Sequence, residues 1–123
     1  MVQNTKIILS EVMHMEKEIK EYLAKYSAEI NNLYIKLREV VYSGATCEIE
    51  EKMWAKLPSY YVGENFVRLI PFKDHINVEA QKIIDYKGEL DGYKITPKGM
   101  LQIYVGEEVP REVLMKVFRD TLL

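Results

Sequence analysis

The sequence predicts an α+β domain, an antiparallel sheet of about five strands with one face covered by helices from both ends of the chain. Apolar residues recur at spacings of three and four over 10–43 and again over 110–122, while short β-branched and aromatic runs fill 46–105. Turn residues separate those runs at short intervals, which favours neighbouring antiparallel strands over long crossovers. No repeat, linker or low-complexity stretch interrupts the 123 residues, so one domain spanning 1–123 is expected.

The N-terminal helical segment begins at Ser10. Val12, Met15, Ile19, Tyr22, Leu23 and Tyr26 form one apolar stripe among Glu11, Glu16, Lys17, Glu18 and Lys20. After a short hinge around Tyr26, Ser27 can cap a second helix, because its hydroxyl accepts a backbone N–H of the first turn. Ile30, Leu33, Tyr34, Leu37, Val40 and Val41 form its stripe, and Ser43-Gly44 offers a left-handed stop. Strands are expected over 47–54, 59–62, 65–72, 75–79 and 99–105, with Val62-Gly63-Glu64-Asn65 as a hairpin turn. Ile83, Ile84, Tyr86 and Leu90 place a short helix over 81–90; Gly88 weakens it by about 1 kcal/mol and Asp91-Gly92 ends it. Pro110 suits a first helical turn, and Val113, Leu114, Val117, Phe118 and Leu122 complete the C-terminal helix.

With 17 basic and 19 acidic residues the net charge is -2, so no global basic field exists to bind a phosphate backbone. Nucleic acid is not an expected partner. Ile7-Ile8-Leu9 is far short of a membrane span of about 20 residues, and no membrane partner is expected. A single cysteine, Cys47, has no partner for an intrachain disulfide and fits a reducing, cytoplasmic setting. Sharing a strand face with Ile49, it reads as a small buried hydrophobe. Met53, Trp54 and Leu57 read as core, or as the seam between sheet and helices with Trp54 at a pocket rim.

Phe72-Lys73-Asp74-His75-Ile76-Asn77, preceded by Glu48 to Pro58, resembles the YdhG-like family of domains of unknown function. Tyr93-Lys94, Lys98-Gly99 with Gln102, and Pro110 through Arg119 follow in the family's order, from about Ile19 to Leu123. Where the family usually has a Tyr-Gly-Met-Pro-like segment this chain has Trp54-Ala55-Lys56-Leu57-Pro58, and the Ile95-Thr96-Pro97 insert is one residue longer. The resemblance implies a fold likened to frataxin and a role as an intracellular iron chaperone, with an iron-accepting protein as partner. Under that likeness Glu48 and Glu50, on one strand face, would join Glu18, Glu21 and Glu11 of the first helix as an acidic ridge for iron. Lys17, Lys20 and Lys25 interleave with these acids, as on an ordinary solvated helix face.

Two further sets of residues bear on function. Asp74-His75 is a candidate metal or acid/base pair, yet His14 is the only other histidine. A histidine at a strand start also holds its turn by hydrogen bonds, and that structural role is the favoured one. Arg68, Lys73, Lys94 and Lys98, with Tyr60, Tyr61 and Tyr93, can receive a small anion if the strands gather them, and Trp54, Tyr61, Arg68 and His75 can converge on a ligand. Thr96-Pro97-Lys98-Gly99 lacks the spacing of a phosphate loop, and no nucleophile-elbow, zinc-protease or dinucleotide fingerprint is present. A non-enzymatic protein is therefore expected, with no cofactor other than the iron the resemblance implies. The alternatives to an iron chaperone are a small-molecule or anion-binding domain and a protein-interaction domain. The N-terminal helical segment offers a self-association face, so monomer or weak homodimer is the expected state.

Overall fold

The structure, a computed structural model, describes residues 14–123. Helices α1 (Lys17–Leu23) and α2 (Ala28–Gly44) lead into strands β1 (Glu50–Trp54), β2 (Leu57–Val62), β3 (Asn65–Pro71) and β4 (His75–Ala80). A 3₁₀ helix (Gln81–Glu89), strands β5 (Lys94–Ile95) and β6 (Leu101–Tyr104), and helix α3 (Arg111–Thr121) complete the chain. The α+β class is as expected, with six antiparallel strands instead of about five, in the order β1-β2-β3-β4-β6-β5. The sixth is the two-residue edge strand β5, too short to give a periodic signal.

Local chemistry sets the helix boundaries. The Glu16 carboxylate accepts the Ile19 N–H at 3.1 Å and opens α1. Ser27 Oγ accepts the Ile30 N–H at 3.1 Å and opens α2, as its sequence position implied. Between them the Asn31 side chain donates to the carbonyls of Leu23, Tyr26 and Ser27 at 2.9, 3.3 and 3.0 Å, satisfying the end of α1 and fixing the hinge. The parts of the N-terminal prediction that rest on Ile7 to Val12 lie outside the described residues. Gly44 is no left-handed stop: it is the last residue of α2, and a Cβ there would sit 2.7 Å from the Met115 carbonyl oxygen. Glycine is needed for the close approach of α2 to α3.

The β1–β2 hairpin turns on Ala55 and Lys56, both left-handed at φ 50° and 65°. No glycine or asparagine marks that turn, and such residues cost about 1–2 kcal/mol each there. Strand β1 starts at Glu50, paired with Tyr61, and by the same register Cys47 falls opposite the Gly63-Glu64 turn, past the end of β2. Cys47 is consequently exposed ahead of the strand, contrary to the buried position expected for it. The 81–90 segment is helical, but of the tighter 3₁₀ type, tied to α3 by the Lys82 N–H donating to Thr121 Oγ1 at 3.2 Å.

Alternation then divides the sheet. Tyr60, Val67, Leu69, Ile76, Val78, Leu101 and Ile103 point to one face, where Ile30, Leu37, Val41, Leu114, Val117 and Phe118 of α2 and α3 cover them, all essentially inaccessible to water. Each such side chain contributes about 1.5–3 kcal/mol on burial. Among the described residues no helix is long and apolar enough to cross a membrane.

Candidate functional site on the helix-free sheet face

Residues of the opposite phase form the face that no helix of the described residues covers, and the strand register arranges them in rows. Lys52, Ser59, Arg68 and Glu79 make one row across β1 to β4; Ile70, Asn77, Gln102 and Lys94 make another across β3, β4, β6 and β5. His75 lies opposite Tyr104, Tyr61 opposite Phe66, and Trp54 opposite Leu57.

Arg68 anchors the first half of this face. Its guanidinium donates to Ser59 Oγ at 3.1 Å, Tyr61 Oη at 3.0 Å and Glu79 Oε1 at 3.3 Å. It also lies 3.8 Å from the Phe66 ring centre and 4.5 Å from that of Trp54. Only 7% of Arg68 is exposed although no helix covers it, because the aromatic side chains do. Three donors spent within the protein and two rings on its faces make Arg68 the scaffold of the face more than a free anion receptor. Trp54 closes the stack from outside and is 51% exposed, which corrects its expected place in the core or seam; Met53, on the other phase of β1, packs against the core.

The second half answers the Asp74-His75 question. The His75 ring stacks between Phe72 and Tyr104, each 4.7 Å away centre to centre. Its Nδ1–H donates to Asp74 Oδ1 at 2.8 Å, and that hydrogen bond lowers the Asp74 carboxyl below its ordinary value. Backbone bonds lock the same turn: the Phe72 N–H donates to the His75 carbonyl at 2.8 Å and the Val105 N–H to the Asp74 carbonyl at 3.0 Å. The pair builds the turn and holds an aromatic stack upright on the sheet. Phe72, at its outer end, is 42% exposed.

Charges around the stacks are unevenly matched. Glu50 pairs with Lys52 at 3.1 Å, Glu79 with Arg68, and Asp74 with His75. Lys94 Nζ sits 5.4 Å from the centre of the Tyr104 ring, and neither it nor Lys73, in the turn beside Phe72, reaches ion-pair distance of a carboxylate among the described residues. Of the expected ligand-binding set, Trp54, Tyr61, Arg68, His75 and Lys94 share this face, Lys73 stands at its rim, and Lys98 lies in a separate turn at the sheet's end. Tyr60 is turned into the core, and the Tyr93 hydroxyl is held by the Glu108 carbonyl.

The expected metal-ligating glutamates are not brought together. Glu48 precedes β1, Glu50 points to the helix-free face, and Glu18 and Glu21 are exposed on α1, on the side of β1 toward which Glu51 turns. Glu11 lies outside the described residues. Among the described residues no group of three or more His, Cys, Asp and Glu side chains could hold a metal ion.

A polar network beneath β1 and β2 escaped the sequence reading. Glu51, buried on the helix side, accepts from Arg38 Nε at 2.6 Å, Arg38 Nη2 at 3.1 Å and the Glu16 N–H at 2.8 Å. Nearby, the Tyr34 and Tyr60 hydroxyls share a hydrogen bond of 2.7 Å at zero exposure. Burial drives both phenols well above their ordinary pKa. The signals were present: Tyr34, Arg38 and Val41 continue the stripe of α2, and Glu51 falls in the inward phase between Ile49 and Met53. A charged residue in an inward phase calls for a buried partner.

Compared with protein-family models, curated proteins and solved structures, the chain matches none.

Proposed function

We propose that the chain is a non-enzymatic cytoplasmic binding domain that takes a flat, anionic small molecule on its helix-free sheet face, against the Phe72–His75–Tyr104 stack. One observation supports this above others: the Glu50 and Glu79 carboxylates of that face are paired with Lys52 and Arg68, while neither Lys94 nor Lys73 beside the exposed stack reaches ion-pair distance of a carboxylate among the described residues. A planar ring adds to the end of the stack, gaining about 0.5–1.5 kcal/mol beyond its area burial, and an anionic group takes Lys94 or Lys73 as its counter-charge. Arg68 holds the neighbouring rings rigid, so little ordering is left for binding to impose.

Titration with 1-naphthoate, monitored by ¹⁵N–¹H NMR, tests the proposal, with 1-naphthylmethylammonium as the cationic control. Amide shifts concentrated at Phe72 to His75 and Gln102 to Tyr104, with Lys94→Gln weakening binding about fivefold, are expected. Equal binding of the cation, or no shift at about 5 mM, refutes it. The YdhG-like, frataxin-like resemblance offers iron delivery as the competing role. Fe²⁺-selective broadening at Glu48, Glu50, Glu18 and Glu21, absent with Zn²⁺ and Mg²⁺, would put that role first.

A further inference from the structure

Where β2 turns into β3 and β4 runs into the 3₁₀ helix, a cleft of about 680 Å³ opens to solvent, within the roughly 300–1,000 Å³ of small-ligand sites. One wall is preorganised. In the Thr96–Met100 turn, the Gly99 N–H donates to the Thr96 carbonyl and the Thr96 N–H to the Met100 carbonyl, both at 2.8 Å, and the Met100 N–H donates to Thr96 Oγ1 at 3.1 Å. The turn presents Lys98, which has no ion-pair partner among the described residues. From the other elements come Glu64, also without a partner among the described residues, and Glu79, whose Oε1 accepts from Arg68 and whose Oε2 has no hydrogen-bond partner among the described residues. Opposite charges thus line one cleft without neutralising each other. Between them lie the apolar side chains of Phe66, Met100 and Ile84, the last 56% exposed.

A buried amide touches one of the residues that line the cleft. Asn77 is 9% exposed, its Nδ2 rests on Met100 Sδ at 3.9 Å, and its enclosed Oδ1 has no hydrogen-bond partner among the described residues. An enclosed carbonyl oxygen without a donor costs about 1–3 kcal/mol, and the same amide touches, through Nδ2, the Met100 side chain of the cleft wall.

We propose that this cleft, separate from the aromatic stack, binds a short zwitterionic peptide with apolar side chains. The ammonium group is held by Glu64 and Glu79, the carboxylate by Lys98, and the side chains by Phe66, Ile84 and Met100. Leucyl-leucine is the probe and N-acetyl-leucyl-leucine amide the control, read by ¹⁵N–¹H NMR. Shifts are expected at Phe66, Ile84, Gly99 and Met100, at least tenfold weaker binding of the blocked peptide, and about fivefold weakening by Lys98→Gln or Glu64→Gln. Both residues are exposed, so these variants keep the fold, and an unchanged amide spectrum away from the cleft verifies it. No shift at about 10 mM, equal binding of the blocked peptide, or shifts confined to the Phe72–His75–Tyr104 stack overturns the proposal.

Discussion

Replacing Arg68 by methionine separates a scaffold from a receptor. Methionine keeps most of the side-chain volume and removes the charge, the three hydrogen bonds to Ser59, Tyr61 and Glu79, and the two cation–ring contacts. Ser59 is fully buried and loses a donor, though its hydroxyl still donates to the Leu57 carbonyl at 3.0 Å, a penalty of about 1 kcal/mol, whereas Glu79, with 31% of its side chain exposed, can recover hydration. The ring contacts add about 0.5–1 kcal/mol each at such a partly exposed site. Methionine's better apolar burial offsets part of this, leaving a net loss of about 2 kcal/mol. For a chain of this length that lowers the midpoint of thermal unfolding by about 8 °C. Circular dichroism melting and urea titration measure the loss, and emission from Trp54, the only tryptophan, reports whether its stack has come apart. Arg68→Lys, which keeps the charge without the planar fork, recovers less than half of the loss. A loss below about 1 kcal/mol with unchanged Trp54 emission would refute the scaffold role.

Other perturbations follow from the packing and the buried polar groups. Gly44→Ala improves helix propensity by about 1 kcal/mol, but its Cβ would strike the Met115 carbonyl 2.7 Å away, so urea unfolding shows a net loss of about 1–2 kcal/mol; a gain would mean that α2 and α3 separate freely. Glu51→Ala removes the carboxylate that accepts from Arg38 Nε and Nη2 in a buried pair and costs about 3 kcal/mol, while the double variant Arg38→Met with Glu51→Leu costs less; equal losses in the two would contradict a buried, coupled pair. Tyr34 and Tyr60 have folded pKa values raised by burial, so their protonated forms stabilise the fold below pH of about 10 and that stability is lost as pH rises further; ultraviolet phenolate absorbance shows them ionising only with alkaline unfolding. Burial pushes the Glu39 carboxyl up, and hydrogen bonds from Arg111 and Ser43 outweigh it, giving a lowered pKa. Its stabilisation is present above the unfolded value of about 4.3 and is lost as pH falls through the folded one; Glu39→Gln flattens that acid limb of the stability curve.

Elements governed by local chemistry were legible in the chain. The Ser27 cap, the α2 stripe, the hairpin at Gly63 and the amphipathic α3 all follow from periodicity and from side chains acting on backbone a few residues away. The β1–β2 turn was not, because Ala55 and Lys56 adopt left-handed conformations that neither residue favours alone and that the strand pairing on both sides imposes. Gly44 shows the same limit: a glycine after Ser43 reads as a helix stop, and only the path of α3, more than sixty residues later, reveals that the missing Cβ is what matters.

For the candidate site, the sequence supplied the residues and the tertiary structure their neighbours. Trp54, Tyr61, Arg68, His75 and Lys94 could be singled out by type, but whether they face one another depends on register, and a one-residue slip would send any strand's set to the opposite face. Glu50 and Glu51 make the point most directly. Adjacent and chemically identical, one lies in solvent beside Lys52 and the other is buried against Arg38, because the pleat of β1 sends successive side chains to opposite sides of the sheet. Composition and period determined that an α+β domain would form; long-range pairing between strands decided which charges were buried, which aromatic rings stacked, and which lysines were left facing water.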